Sequence, residues 1–258
     1  MESIILKDIE YYSTNKKLFN KKYNNIIKRF IGRPVVGCCS YLYKKYAPIS
    51  YQDFLDKYFA DGDNNFNKES LRGEHDKGRN YESFCAIAQK YYEAIHAVNS
   101  NITYEQCFDD LITHTIIETF SGKDAERIVI NKINGIEGHH AEETFGDLDA
   151  IYNVDIIDSN DEGHVLHYIQ VKPFTTFKGN FNKSLISDRI NFYHKEEKLN
   201  RDFPNKLGLE YFIYKRDKDG KIKFLTIDGK KRFTINQLCD RNGKTLIENI
   251  ESQEYFEL

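Results

Sequence analysis

Hydrophobic positions recur along this chain first at helical spacing and then, beyond about residue 140, in short apolar runs separated by turn formers. Residues 1–60 read as mainly helical, with breaks at Pro34 and Pro48. Phe54, Leu55 and Tyr58 share one face of a helix that opens near Tyr51, and Ser50 is placed to cap it. Asp61 to Asn80 is polar and holds Gly62, Gly73 and Gly78, so it reads as a mobile loop. Helical spacing returns at Phe84, Ile87, Ala88, Tyr91 and Ile95. Thr103-Tyr104-Glu105-Gln106 has the form of a capping box for a helix ending near Ser121-Gly122. Ala125, Ile128, Val129 and Ile133 mark one more helix.

The period then changes. Gly146-Asp147-Leu148-Asp149-Ala150-Ile151-Tyr152 reads as a strand, Asp158 to Gly163 as a turn, and His164 to Lys172 as the returning strand of a hairpin. Strand side chains alternate, so Gln170 and Lys172 point to one face while Ile169 and Val171 point to the other. Asn182 to Leu199 fits a helix with a basic exposed face. Leu209–Tyr214, the turn Asp217-Lys218-Asp219-Gly220 and Ile222–Ile227 form a second hairpin. The order helix, strand, strand, helix, strand, strand predicts an α/β or α+β core, a central mixed sheet flanked by helices. A mainly helical region over residues 1–100, suited to DNA binding or dimerisation, precedes this core over 101–258.

Composition narrows the class. With 258 residues, 40% hydrophobic and 14% aromatic, the chain is globular rather than disordered. No apolar run approaches the roughly 20 residues that span a bilayer, and the N-terminus has neither a basic start nor a long apolar segment. A cytoplasmic protein with no membrane partner is expected. Cys38, Cys39, Cys85, Cys107 and Cys239 are odd in number and never spaced C-x-x-C, which argues against a zinc ribbon or a disulfide framework. Net charge is −3, but its distribution is uneven. Between Asn15 and Pro34 stand Lys16, Lys17, Lys21, Lys22, Lys28, Arg29 and Arg33, with no anion among them. That run is a candidate phosphate-binding surface. Lys178, Lys183 and Arg189, with Lys195, Lys198 and Arg201, offer further phosphate contacts; a solvated helix face is the plain alternative.

The candidate chemistry lies on the first hairpin. Asp-x-Asp at a strand head puts Asp147 and Asp149 on one face, where a hard cation such as Mg²⁺ finds carboxylate oxygens. A solvated strand end is the plain alternative for the pair, and Asp155, further along, reads as structural or exposed. Gln170 can add its amide oxygen, completed by a backbone carbonyl. Lys172 can orient or deprotonate an attacking water and counter charge on a phosphate. Glu126 sits on the helix before the hairpin, with an intrahelical pair as its plain alternative. His139-His140, followed by Glu142 and Glu143, lacks the spacing of a zinc motif and reads as a loop. No Walker-type glycine loop is present in the sequence, which argues against an ATP-driven enzyme.

Asp149 (or Asp147), Gln170 and Lys172 together resemble the PD-(D/E)xK nuclease fold, in the variant where glutamine replaces the acid before the lysine, over roughly residues 122 to 227. The Gln170-Val171-Lys172-Pro173-Phe174 run and the helical N-terminal third are similar to the MjaI-like group of type II restriction endonucleases. The resemblance implies a nuclease core and Mg²⁺-dependent cleavage of double-stranded DNA at a short palindromic sequence, CTAG within that group. It implies a homodimer and 5′-phosphate products. It favours Asp149 as the essential acid and brings one more acid from the preceding helix, best matched by Glu126 and less well by Glu118. Two other readings stay open: a nuclease of the same fold acting in repair or on single strands, and a non-catalytic nucleic-acid-binding protein.

Overall fold

A computed structural model of the chain describes residues 23–65, 77–144, 146–180, 183–203, 207–217, 221–247 and 254–256. The chain divides into two compact units, Met1–Lys123 and Asp124–Leu258. The division falls later than residue 100 because the helix opened by Thr103 buries Cys107, Leu111 and Ile112 in the same cluster as Phe84, Tyr91 and Ile95.

The first unit is helical. Two single turns, Asn24–Ile27 and Arg33–Val36, precede α1 (Cys39–Tyr46), α2 (Tyr51–Asn65), α3 (Tyr81–His96) and α4 (Tyr104–Ile112). Ser50 Oγ accepts the Asp53 N–H at 3.1 Å, and Thr103 with Gln106 forms the expected capping box. The polar stretch after Asp61 departs from its reading as a loop: α2 continues to Asn65, and residues 66–76 lie outside the described part. Asp61 is buried because Lys45 Nζ (2.6 Å), the Tyr46 hydroxyl and the Gly78 N–H (2.8 Å) all donate to it. A Cβ at Gly62 would stand 2.2 Å from the Asn80 nitrogen, so the glycine there permits close approach of the returning chain.

A π-helical turn, Thr113–Ile117, leads from α4 straight into α5 (Glu118–Asn134), within which the division between units falls. The expected end at Ser121-Gly122 is absent. A glycine inside a helix costs only about 1 kcal/mol against alanine, and burial of Phe120, Ala125, Val129 and Ile133 on the same helix outweighs it.

The second unit is a mixed α+β fold. Its six-stranded sheet runs in the order β1 (His140–Glu143), β2 (Ile156–Ser159), β3 (Val165–Pro173), β4 (Leu209–Arg216), β5 (Ile222–Thr226), β6 (Glu254–Phe256). Only the β3–β4 pair is parallel. The connection between these two strands carries α7 (Lys183–Asp202), as a parallel pair requires a long crossover. Alternation along the strands builds two cores. Tyr168, Tyr211, Ile213 and Leu225 pack with Phe192, Tyr193 and Leu199 of α7. Ile169, Val171, Phe212, Tyr214 and Phe224 pack with Ala125, Val129 and Ile133 of α5.

Both hairpins form, but the first uses a different leading strand. Residues Asp147–Tyr152 are a helix, α6, and not a strand. Asp147 and Asp149 stand in its first turn, where the helix dipole favours anions. Asn153, at φ 56°, ends it in the left-handed conformation that asparagine tolerates. The strand that pairs with β3 is β2, in the register Ile156↔Ile169, Ile157↔Tyr168 and Asp158↔His167. His140 lies on β1 rather than in a loop. Among the described residues no helix is long and apolar enough to cross a membrane.

Candidate active site on the β2–β3 hairpin

Asp155, immediately before β2, is the acid that meets the lysine. Its backbone N–H donates to Ile169 O at 2.9 Å and its carbonyl accepts the Thr144 N–H at 3.0 Å, so the backbone is tied to both sides. The strand register ends at Ile156↔Ile169, and Asp155 stands one residue beyond it, bonded to the stretch of β3 that holds Gln170. Its Oδ2 accepts the Val171 N–H at 2.8 Å and lies 3.3 Å from Lys172 Nζ, with the carboxylate side chain only 10% exposed and the lysine 25%. A charge pair this shielded interacts more strongly than an exposed one.

A second cation, Lys195, feels the charge of the same acid. Lys195 of α7 donates to Asn153 Oδ1 at 2.5 Å and to Ala150 O at 3.1 Å, bracing the C-terminal end of α6, where a cation suits the dipole. Burial holds its ammonium below the ordinary lysine range; Asp149 opposes that shift, Lys172 adds to it, and Asp155 opposes it again. Asp155, Lys172 and Lys195 thus form one charged cluster, with Asp149 acting on it from α6.

Gln170 lies beside this cluster and is 0% exposed, yet among the described residues neither its amide oxygen nor its nitrogen has a hydrogen-bond partner. Burying an amide without partners costs about 1–3 kcal/mol, so the site favours a group that would satisfy it. Tyr211, directly across from Gln170 on β4, is also fully buried, and among the described residues its hydroxyl has no partner. Glu196 of α7 accepts the Leu209 N–H, but among the described residues its Oε2 has no partner. Burial pushes the Glu196 carboxyl up from 4.5 to about 6. Because the folded state holds this proton more tightly than the unfolded chain, the group costs nothing at low pH. The cost grows as pH rises from 4.5 and is complete, at about 2 kcal/mol, above pH 6. Glu196→Gln should therefore gain about 1 kcal/mol on the wild type between pH 5 and pH 7.5 in urea denaturation; a constant difference would contradict this placement.

The other expected residues are dispersed. Asp147 and Asp149 are exposed on α6 and do not stand beside Gln170, because the segment is helical. Asp155, read from sequence as structural or exposed, takes that place. Glu126 is 8% exposed on α5, whose apolar residues pack on the face opposite Gln170 and Lys172. Glu118 pairs with His114 at 2.9 Å. His139 bonds Asp158 at 2.8 Å and His140 bonds Asp161 at 2.6 Å. Of the cations, Lys16, Lys17, Lys21 and Lys22 lie outside the described residues, Lys28, Arg29, Lys178 and Lys183 are exposed, and Arg33 begins a short helical turn.

Arg189 is a correction. It is 0% exposed and cannot meet DNA phosphates in this conformation. Its guanidinium donates to Thr176 O (2.9 Å), Gly179 O (2.7 Å), Gly243 O (2.8 Å), and at 3.4 Å to Lys178 O and Asn180 Oδ1. It ties the segment after β3 to the loop at Gly243, where a Cβ would meet Ile186 O at 2.5 Å.

Sequence reasoning passed over Asp155, Glu196 and Tyr211. Counting back five residues from the Asn160–His164 turn would have brought position 155, and not 149, level with residue 169, next to Gln170. Glu196 and Tyr211 carried no sequence signal, since each is an ordinary residue until α7 folds over the sheet.

No group of three His, Cys, Asp or Glu placed to hold a metal occurs among the described residues. The oxygen donors at hand are the Asp155 carboxylate and the Gln170 amide, which has no partner among the described residues. Such a hard-oxygen set fits Mg²⁺, which keeps several of its waters when bound. No protein-family model, curated protein or solved structure matches the chain.

Proposed function

We propose that the chain is a Mg²⁺-dependent endonuclease that hydrolyses double-stranded DNA at a short palindromic site, as a restriction enzyme does. The observation that carries this reading is the part-buried Asp155–Lys172 pair, 3.3 Å apart, at the β3 stretch that also bears the buried, unsatisfied Gln170 amide. The PD-(D/E)xK resemblance supports it with Asp155 in the place first given to Asp149. The order α5, β1, β2, β3, α7, β4, with the short α6 inserted between β1 and β2, is compatible with such a core.

In this reading Asp155 and Gln170 would hold the metal, which would supply polarisation of the scissile phosphate and a water of lowered pKa. Asp155 Oδ2 also fixes the direction of the Lys172 ammonium. Lys172 orients the attacking water and offsets the charge that develops on the phosphate. Lys195 places a second cation beside the same centre. The exposed Lys28, Arg29, Lys178 and Lys183 would meet backbone phosphates, positioning the duplex without reading its sequence. A homodimer would match a two-fold site, and a cytoplasmic location belongs to the same reading.

The test is digestion of plasmid DNA of known sequence by the full chain with Mg²⁺, with mapping of the cut ends. Discrete fragments with 5′-phosphates at one recurring short sequence are expected. Cleavage of single-stranded DNA alone would support a different nuclease, and duplex binding without cleavage would support a non-catalytic protein.

A further inference from the structure

The first unit holds a cavity of about 220 Å³ between the start of α1 and the π-helical turn at Thr113–Ile117. Cys38, Cys39 and Ser40 line it from α1, and His114 and Thr115 line it from the π-helical turn. Ile31 and Val36 make part of the wall apolar. Gly37, at φ 82°, leads into α1 where a Cβ would overlap the Lys77 carbonyl. The turn is thus fixed against that carbonyl, and this side of the cavity is preformed.

Two sets of hydrogen-bonding groups border the space without partners. The first is the start of α1. Cys38 makes no side-chain cap bond, and the first bond of the helix runs from the Leu42 N–H to Cys38 O. The N–H groups of Cys39, Ser40 and Tyr41 therefore have no acceptor within the helix, and the dipole adds positive potential there. Burial pushes the Cys39 thiol up to about 12, the Cys38 thiol adds to that, and the Arg79 guanidinium opposes it. A cation thus acts on the same helix end.

The second is Thr115. It is 2% exposed, and among the described residues its hydroxyl has no partner. A threonine within a helix can bond back to the carbonyl four residues earlier, as Thr113 does with Asp109 O at 2.8 Å. Thr115 makes no such bond, although a buried hydroxyl left unpaired is costly. The π-helical turn that carries it is a form frequent at functional sites. The carboxylates near this wall are already engaged. His114 lies 3.6 Å from Asp110 and 2.9 Å from Glu118, and the Tyr91 hydroxyl donates to Asp110 at 2.7 Å. The groups left over at the cavity are donors.

We propose that this cavity binds a small oxyanion, the phosphate or carboxylate group of a compact molecule, at the N-terminus of α1. The N–H groups of the first turn and the Thr115 hydroxyl donate to its oxygens. Ile31 and Val36 meet the remainder of the molecule. The site lies wholly within the first unit and does not rest on the nuclease reading.

Calorimetric titration of the full chain with inorganic phosphate and, separately, with acetate at constant ionic strength tests this. Saturable binding of one or both is expected, and the preferred anion identifies the group that the natural ligand carries. Thr115→Val keeps the shape and removes the hydroxyl, so affinity should fall about tenfold. Cys38→Asp sets a carboxylate at the cap, where it accepts from the same N–H groups. Anion binding should then be lost while the thermal midpoint rises. Circular dichroism checks the fold of each variant, and if one fails to fold the other decides. No binding of either anion by the wild type, or wild-type affinity in either folded variant, would overturn the proposal.

Discussion

Lys172→Ala should reduce Mg²⁺-dependent cleavage by about a thousandfold or more, from loss of water positioning and of charge stabilisation together. Duplex binding measured in Ca²⁺ should be nearly unchanged. The lysine is one-quarter exposed and its ammonium faces Asp155 at 3.3 Å, so it is directed at the acid rather than outward at a duplex. The loss should therefore appear in the single-turnover rate and not in the dissociation constant. Removing the ammonium also frees Asp155 Oδ2 of one contact while the Val171 N–H remains, so the carboxylate keeps its place. Cleavage within tenfold of wild type would remove Lys172 from the chemistry; a large loss of binding would make it a phosphate contact.

Arg189→Met should cost about 3–5 kcal/mol of folding stability. The guanidinium is wholly buried, and three of its bonds to backbone carbonyls are 2.9 Å or shorter. Methionine fills part of the volume but leaves those carbonyls without donors. Because Gly179, Gly243 and the helix bearing Arg189 are joined at this point, the effect should be a lower denaturation midpoint for the second unit. A change under about 1 kcal/mol would show that the carbonyls find other donors.

Arg189 also illustrates what could be read in advance. Its helix was read from sequence over Asn182 to Leu199 and is present over Lys183–Asp202, but a sequence cannot tell a cation that faces solvent from one enclosed by its own loops. The mixed sheet, both hairpins and the shared face of Gln170 and Lys172 were legible too, because alternation and turn chemistry are local. The leading strand was misread at 146–152, where Leu148, Ala150 and Tyr152 alternate as well as any strand. Two aspartates in a first turn and Asn153 after the last residue tipped the segment to a helix. The aspartate that the structure sets beside Lys172 is therefore Asp155, six positions beyond Asp149. Capping at Thr103 and Ser50 was readable for the same local reason. By contrast, Glu196 and Tyr211 meet only through a crossover connection, and nothing within their own neighbourhoods marks them.

The central claim is that Asp155 is the acid of the site. Cleavage of duplex DNA by Asp155→Asn and Asp149→Asn, measured side by side at saturating Mg²⁺, tests it most directly. Both changes are isosteric, so packing should survive in each. Asp155→Asn should lose cleavage by about a thousandfold or more, whereas Asp149→Asn, exposed on its helix, should remain within about tenfold of wild type. The reverse ranking, an inactive Asp149→Asn beside an active Asp155→Asn, would contradict the account.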